Sequence, residues 1–221
     1  GGDTTSRERV TAKRLQCDFP MDLGDPMPGL QGALVQITQL IREGSTTMAV
    51  LASGILEFEL NNKPVQVGLK VDQASGVDDE GYKLVLSSMD LKAISGNFEE
   101  PLTEAEVELL ANNPLRAAQL LRIKDDAEST AAASKASDDT VPQDAYRHVL
   151  WSYLLTNKYG ADFAKAVTDS HEEGDTGNTP AERAMDYNNN EVGRNYADRK
   201  VRRANILKEM QADSSVIIAP E

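Results

Sequence analysis

The sequence predicts an α+β fold, with an N-terminal helix packed on a small antiparallel sheet and a C-terminal all-α domain. Apolar and polar residues alternate between positions 56 and 71, which is typical of strands with one buried face. After Pro101, helix-capping signals and helical spacing take over. We therefore predict a tether and irregular lead-in at 1–28, an α/β subdomain at 29–96, a helical domain at 101–212 and a tail at 213–221.

Length and composition limit the classes of protein to which the chain can belong. With 221 residues, 40% of them hydrophobic, it can bury a core without disulfides. The formal net charge of -13 argues against a nucleic-acid partner, because such a partner requires a basic surface. Cys17 is the only cysteine, and no apolar run is long enough to span a membrane.

The first residues suggest where the protein acts. They read Gly-Gly-Asp-Thr-Thr-Ser, and small polar residues of this kind commonly follow the lipid-bearing cysteine of bacterial lipoproteins after signal removal. One interpretation is an exported protein of the cell envelope or periplasm with a lipid tether to a membrane. The alternative is a cytoplasmic protein preceded by residues added in cloning.

The predicted α/β subdomain begins with an amphipathic helix. Apolar residues recur at spacings of three and four from Leu30 to Ile41, and Gly44 ends the pattern. Two strands follow, joined by the turn Asn61-Asn62-Lys63-Pro64, and a third strand is expected at 82–86. The acidic residues of these strands fall on the face expected to contact water, so we predict no site there.

Five helices are predicted after Pro101, and capping signals mark most of their starts. A threonine followed three residues later by a glutamate forms a capping box at Thr103 and Thr179, and Thr140 with Gln143 resembles another. Residues 127–139 are either the frayed end of a helix or a mobile loop, the last helix extends to about Met210, and the tail from Ser214 is loosely held. The predicted helices begin at Thr103, Asn113, Thr140, Ala161 and Thr179.

The clearest functional signal comes from the last three predicted helices, which contain both histidines and the only tryptophan. Asp144 and His148 are four residues apart, so the carboxylate can orient the imidazole from the same helix face. Trp151 lies on the same side and can exclude water. Considered alone, His148 is better interpreted as a buried core histidine with an ordinary link to Asp144.

His171 and Glu172 form a second polar group, at a helix end that precedes a glycine-containing loop. Scaffolds usually display reactive groups at such places. A histidine there is also stabilised by the negative end of the helix, so a purely structural role stays open.

The last predicted helix carries a third group. Asp186, Asn190 and Arg194 are spaced by four and project on one side. Asn189 and Asn190 are poor helix formers, so contacts other than helix propensity must hold them. Gly193, close to that side, is small enough to let another helix approach closely.

Together these groups are the usual constituents of a hydrolytic or anion-handling site. The first hypothesis is therefore a hydrolase-like domain that acts on a cell-envelope lipid or wall polymer. The alternative is a non-catalytic envelope module in which the same residues form a buried polar clamp. In the enzymatic hypothesis His148, His171, Glu172 and Asp186 are catalytic, Asn189, Asn190, Arg194 and Trp151 bind substrate, and Asp144 and Arg147 orient the others.

A divalent metal such as zinc is a further option. Two histidines with Glu172 or Asp186 would bind such an ion and leave a coordination position open. The ligands do not form a compact signature such as His-Glu-x-x-His, so the sequence assigns no metal. It also contains no glycine-rich phosphate loop and no Gly-x-Ser-x-Gly elbow.

Four ordered blocks resemble an uncharacterised bacterial domain family found in lipoproteins and at the C-terminal ends of wall-associated and Rhs-type proteins. The resemblance covers about residues 101–205 and implies an all-helical module outside the cytoplasm. The loop after Glu172 is longer and more polar than the family pattern. The family implies no reaction. The blocks are Asn113-Pro114, Asp144-Ala145-x-Arg147-His148-x-x-Trp151, His171-Glu172 and Met185-Asp186-x-x-Asn189-Asn190-x-x-Gly193-Arg194.

Overall fold

The computed structural model describes residues 15–16, 49–51, 55–73 and 82–220. The predicted helix from Leu30 to Ile41 and most of the predicted lead-in lie outside these residues. The described residues are mostly helical with a small sheet, which confirms the α+β class. They fall into two compact units, Gly1–Asn97 with Val107–Gln119 and Phe98–Glu106 with Leu120–Glu221.

The sheet of the first unit has the strand order β1-β5-β4-β3-β2. β3, β4 and β5 are antiparallel neighbours, as the alternating pattern predicted. β2 adds to β3 in the antiparallel direction and β1 adds to β5 in the parallel direction. The strands are β1 Leu15–Gln16, β2 Ala49–Leu51, β3 Ile55–Leu60, β4 Lys63–Gln73 and β5 Tyr82–Leu86.

The hairpin between β3 and β4 follows from its turn residues. Asn61 and Asn62 have φ angles of 50° and 60°, the left-handed region that a two-residue type I′ turn requires. This turn pairs Leu60 with Lys63 and sets the register of the hairpin. As a result, Leu56 and Phe58 lie on the buried face together with Leu60.

A short helix that the sequence did not indicate, α1 at Ser88–Ile94, follows β5. The Ser87 hydroxyl caps it by accepting a hydrogen bond from the Asp90 backbone N–H. The Asp90 carboxylate accepts a second one, 2.8 Å from the Gly68 N–H of β4. Leu91 is fully buried, so both polar and apolar contacts hold this helix within the first unit.

Six α-helices follow α1, and two of the three predicted capping boxes are present. The third, Thr140 with Gln143, is wrong, because that helix begins at Gln143 without a side-chain cap and the Thr140 hydroxyl donates to the Asp138 carboxylate. The Thr103 hydroxyl accepts from the Glu106 N–H and the Glu106 carboxylate accepts from the Thr103 N–H, and Thr179 with Glu182 repeats the arrangement. Residues 127–137 are helical rather than a loop. The helices are α2 Glu104–Ala111, α3 Pro114–Ser137, α4 Gln143–Tyr159, α5 Ala161–Glu172, α6 Pro180–Asp198 and α7 Ile206–Ala212.

The predicted continuous last helix is wrong. α6 ends at Asp198, and Lys200 adopts a left-handed φ of 58° that turns the chain. The Tyr153 hydroxyl of α4 donates a 2.5 Å hydrogen bond to the Val201 carbonyl, which fixes the turn. The chain then forms a short 3-10 turn before α7. None of the described helices is long and apolar enough to cross a membrane.

Gly193 allows α6 to lie very close to α4. A Cβ atom at this position would lie 2.3 Å from the Val149 carbonyl oxygen and 2.9 Å from the Ser152 Cβ. The Ser152 hydroxyl uses the same close approach to donate a 2.6 Å hydrogen bond to the Asn190 carbonyl. The predicted close approach at Gly193 is therefore confirmed, and it places Asn190 next to the helix that carries His148.

Replacing Gly193 with alanine should lower the free energy of unfolding by about 1–3 kcal/mol, because the new methyl group would overlap backbone atoms. Urea denaturation followed by circular dichroism measures this change. Gly96→Ala is the control, since nothing lies within 4 Å of a Cβ there. Equal unfolding free energies for the two variants would contradict the packing described above.

Candidate functional site

The second unit brings most of the predicted site residues together. α4 contributes Arg147, His148 and Trp151, and the imidazole rings of His148 and His171 have centroids 6.5 Å apart. Trp151 packs edge-on against both rings. The two rings therefore lie close together, and His148 and His171 are each only 1% exposed.

His171 lies between two carboxylates. Its Nδ1 is 2.5 Å from the Glu106 carboxylate and its Nε2 is 2.6 Å from the Glu100 carboxylate. Because an ionised carboxylate only accepts hydrogen bonds, both ring nitrogens must carry a proton. Burial alone would favour the neutral ring, but the hydrogen bonds to Glu100 and Glu106 raise the pKa of His171 to about 9.

Lys124 extends this arrangement from α3. Its Nζ forms a buried ion pair with Glu106 at 3.2 Å and lies 5.3 Å from the centre of the Trp151 ring. Glu128, one turn later on α3, accepts a hydrogen bond from the Glu99 backbone N–H at 2.9 Å. Burial opposes ionisation of Glu106, yet Lys124 and His171 lower its pKa to about 2.

Arg147 pairs with two carboxylates at the more exposed edge of the site. Its Nη2 is 2.7 Å from Glu100 and also forms an ion pair with Asp144, whose side chain is 52% exposed. We call Glu100, Glu106, Lys124, Asp144, Arg147 and His171 the ion network.

The predicted orienting role of Asp144 is corrected by these contacts. Its carboxylate is 3.8 Å from the His148 Nε2, too far for a hydrogen bond, because Arg147 lies nearer and binds it. The imidazole is instead oriented from α6, where the Asn190 side-chain oxygen is 3.1 Å from the His148 Nδ1. The Asn190 oxygen can only accept, so Nδ1 carries the proton and Nε2 is an acceptor.

The His148 Nε2 shares its donor with other acceptors. It accepts a 3.2 Å hydrogen bond from the Arg147 Nη2, which also binds Glu100 and Asp144, so its two hydrogens serve three acceptors. Asp186 Oδ1 is 3.4 Å from Nε2 and is itself buried without a hydrogen-bond partner among the described residues. When Asp186 is ionised, two acceptors therefore face each other in a buried environment.

Glu172 also has a carboxylate oxygen that accepts no hydrogen bond from the described residues. It is fully buried, and its Oε1 accepts a 3.3 Å hydrogen bond from the Asn190 amide while Oε2 has no partner in the described chain. The other Asp186 oxygen accepts from Asn178 at 3.1 Å. We call His148, Glu172, Asp186 and Asn190 the histidine–carboxylate cluster.

Burial shifts the pKa values of this cluster toward neutral forms. Burial and the Arg147 charge lower the pKa of His148 to about 3, so its ring is neutral. Burial raises the pKa of Glu172 to about 7. Burial and the neighbouring Glu172 raise the pKa of Asp186 to about 8.

A small cavity lies against the site. Its volume is about 10 Å³, which is room for roughly one water molecule. The indole nitrogen of Trp151, one of its lining residues, is buried without a hydrogen-bond acceptor among the described residues. The lining residues are Glu100, Lys124, Ala127, Glu128, Arg147, His148, Trp151 and His171.

Asn189, a predicted substrate-binding residue, lies outside this arrangement. Its amide donates to the Ile217 carbonyl at 2.8 Å and accepts from the Ile217 N–H at 3.0 Å, and Asn188 donates to the Ser215 carbonyl. The substrate-binding role of Asn189 is therefore corrected, because its side chain is already used. The predicted loose tail is also wrong around Ser215 and Ile217.

Arg194, another predicted substrate-binding residue, does not join the histidine–carboxylate cluster. Its Nη1 is buried without a hydrogen-bond partner among the described residues, and no contact joins it to His148 or Asp186. The predicted binding role of Arg194 stays a prediction.

Several members of the ion network were not found from the sequence. Glu106 was recognised only as a capping-box residue. Its carboxylate both caps the helix by accepting from the Thr103 N–H and binds His171. Glu100, Lys124 and Glu128 carry no local pattern. Glu100 is a partly exposed residue before α2, whereas Lys124 and Glu128 are buried on α3, and a role for any of them becomes visible only once the histidines are in place.

The second unit is thus a helical module with a buried ion network and an adjoining histidine–carboxylate cluster. Residues 107–215 match the family model of a domain of unknown function (DUF6973), which confirms the resemblance to an uncharacterised domain family over these residues. The match includes the whole histidine–carboxylate cluster, whereas Glu100 and Glu106 lie before it. No curated protein and no solved structure matches the chain.

His171 should remain an imidazolium between about pH 5 and pH 8, as nitrogen-15 NMR of the ring would show. Its folded pKa of about 9 lies above the unfolded value of 6.5, so its contribution to stability is complete below 6.5 and is lost as the pH rises through about 9. Comparison with His148→Gln assigns the two rings. A His171 ring that titrates near pH 6.5 would contradict the two-carboxylate arrangement.

Proposed function

We propose that the second unit is a hydrolytic module of the cell envelope, in which the histidine–carboxylate cluster activates a water molecule. The observation that carries this proposal is the His148 ring. The ring is neutral, Asn190 holds it in one tautomer, and its Nε2 accepts only a 3.2 Å hydrogen bond that the Arg147 Nη2 shares with two carboxylates. A neutral imidazole can accept a proton from water at this nitrogen, and its low pKa makes it a weaker base than a free imidazole.

The proposed reaction follows from that geometry. A water molecule in the adjoining cavity gives a proton to the His148 Nε2, and its oxygen attacks a carbonyl or phosphoryl centre. The proton then passes from His148 to the leaving group, so the ring returns to its neutral form. Asn190 and Glu172 hold the ring during both transfers, because Nδ1 stays bonded to Asn190 and Asn190 to Glu172.

The exposed edge of the site supports a role in binding an anionic substrate. Glu100 and Asp144 have side chains that are 30% and 52% exposed, and Arg147 lies behind them with 8% exposure. A substrate carboxylate or phosphate that displaces Asp144 from Arg147 would be placed beside His148. Wall polymers and phospholipids of the envelope carry such groups.

The proposal is tested with carboxylic esters, phosphodiesters, wall-polymer fragments and phospholipid vesicles as substrates. The wild-type protein should hydrolyse at least one class, and His148→Gln should lower kcat/KM for it at least 100-fold, since general base catalysis contributes about that much. Asp126→Asn, which removes a surface ion pair with Arg203, is the control and should retain activity. Equal rates for His148→Gln and the wild type would refute the proposal.

A second candidate function is a non-catalytic envelope module with a buried polar clamp. The ion network favours it, because both His171 nitrogens are fully paired and the cavity admits only a water-sized molecule. This candidate predicts hydrolysis of no class of substrate and a loss of several kcal/mol of stability in His148→Gln, as when a buried network loses a member. The two candidates thus differ in both measurements.

A further inference from the structure

When Glu172 and Asp186 are ionised, the charges of the buried site do not balance among the described residues. In the ion network, the three cations Lys124, Arg147 and His171 face three carboxylates. Glu128 beside them accepts backbone N–H groups. Glu172 and Asp186 remain, and no lysine, arginine or charged histidine forms an ion pair with either of them in the part of the chain that the structure describes.

The same two carboxylates hold the unpaired acceptors. Glu172 is 0% and Asp186 2% exposed, and each has one oxygen without a hydrogen-bond partner in the described chain. The acceptor nitrogen of His148 lies 3.4 Å from the unpaired Asp186 oxygen. A buried group of acceptors of this kind is stabilised either by protonation of its carboxylates or by a positively charged partner that replaces those protons.

We propose that His148, Glu172 and Asp186 bind a divalent cation. Each residue can supply one ligand atom, and these atoms lie within 4.8 Å of one another. Ligand atoms about 2.1 Å from a common tetrahedral ion are about 3.4 Å apart, which matches the separation of His148 Nε2 from Asp186 Oδ1. One imidazole nitrogen and two carboxylate oxygens suit Zn²⁺ or Mn²⁺.

Asn190 would act as the positioning residue of this site. Its side-chain oxygen accepts from the Nδ1 of His148, so the ring presents Nε2, and its amide donates to Glu172. A hydrogen bond on the second nitrogen of a metal-binding histidine is the usual way to fix such a ligand. The sequence-based option of two histidine ligands is replaced, because both nitrogens of His171 are already bonded to carboxylates.

A second group of possible ligands, Glu100, Asp144 and His148, is less suitable. Arg147 already binds both carboxylates of that group, and the second oxygen of Glu100 binds His171. A guanidinium therefore holds the place that a cation would take. In the group with Glu172 and Asp186, Arg147 contacts only the His148 Nε2, at 3.2 Å, and it forms no ion pair with either carboxylate among the described residues.

The experiment is isothermal titration of the full chain with MnCl₂ and with ZnCl₂ after removal of metal by chelation. We expect one ion to bind per chain. Glu172→Gln and Asp186→Asn should each weaken binding at least tenfold, whereas Asp144→Asn should stay within threefold of the wild type. Asp126→Asn, a surface aspartate of α3, is the matched control and should also stay within threefold.

Two further measurements keep the proposal falsifiable if a variant does not fold. In the wild type, Mn²⁺ should raise the melting temperature, and excess chelator should reverse the shift. The pulsed electron paramagnetic resonance spectrum of bound Mn²⁺ should contain modulation from an imidazole nitrogen. Binding that Asp144→Asn abolishes and Asp186→Asn preserves would overturn the assignment, as would the absence of stoichiometric binding of either ion.

The cation site does not rest on the proposed hydrolytic function. Binding is measured without a substrate, so a bound ion in a protein that hydrolyses nothing would leave this inference standing and refute only the proposed function. Hydrolysis that persists in excess chelator, together with no ion binding, would refute the cation site and leave the proposed function standing.

Discussion

The paired charges around His171 determine how the second unit can be built. An imidazolium between Glu100 and Glu106 is stable in the interior only because each charge is matched at short distance, and losing one partner would leave the other charge buried and uncompensated. Since the members of the ion network lie before α2 and on α2, α3, α4 and α5, the network joins segments that are far apart in sequence. It also surrounds Trp151 and thereby forms one wall of the site.

The neighbouring histidine–carboxylate cluster, unlike the ion network, is only partly hydrogen-bonded. His148, Glu172 and Asp186 are equally buried, but Glu172 and Asp186 each carry an unpaired acceptor, and Asn190 connects His148 with Glu172. A fully satisfied network lends rigidity to a fold, whereas an incomplete one costs stability unless function requires it. The ion network and the histidine–carboxylate cluster lie next to each other, so this site supports both a structural and a catalytic interpretation.

The sequence predicted much of this fold because its local signals agree with one another. Capping boxes at Thr103 and Thr179, the Asn61-Asn62 turn and Gly193 each have a physical role that the structure confirms. The histidines and Asp186 were found because polar residues at helical spacing are visible without knowledge of the fold.

The partners of these residues could not be predicted in the same way. Asp144 is four residues from His148, yet Arg147 competes for its carboxylate, so spacing alone gave the wrong orienting residue. Lys124 and Glu100 are 47 and 71 residues from His171, and such separations leave no pattern in a single sequence. Asn189 and Asn190 are adjacent and chemically identical, but they point to different neighbours.

Asn189 recognises the chain near its end through main-chain atoms alone. Its amide bonds the N–H and the carbonyl of Ile217, and neither bond involves the isoleucine side chain. Most amino acids could therefore replace Ile217 without loss of this attachment. Proline is the exception, since it has no N–H to offer and would sever one of the two bonds.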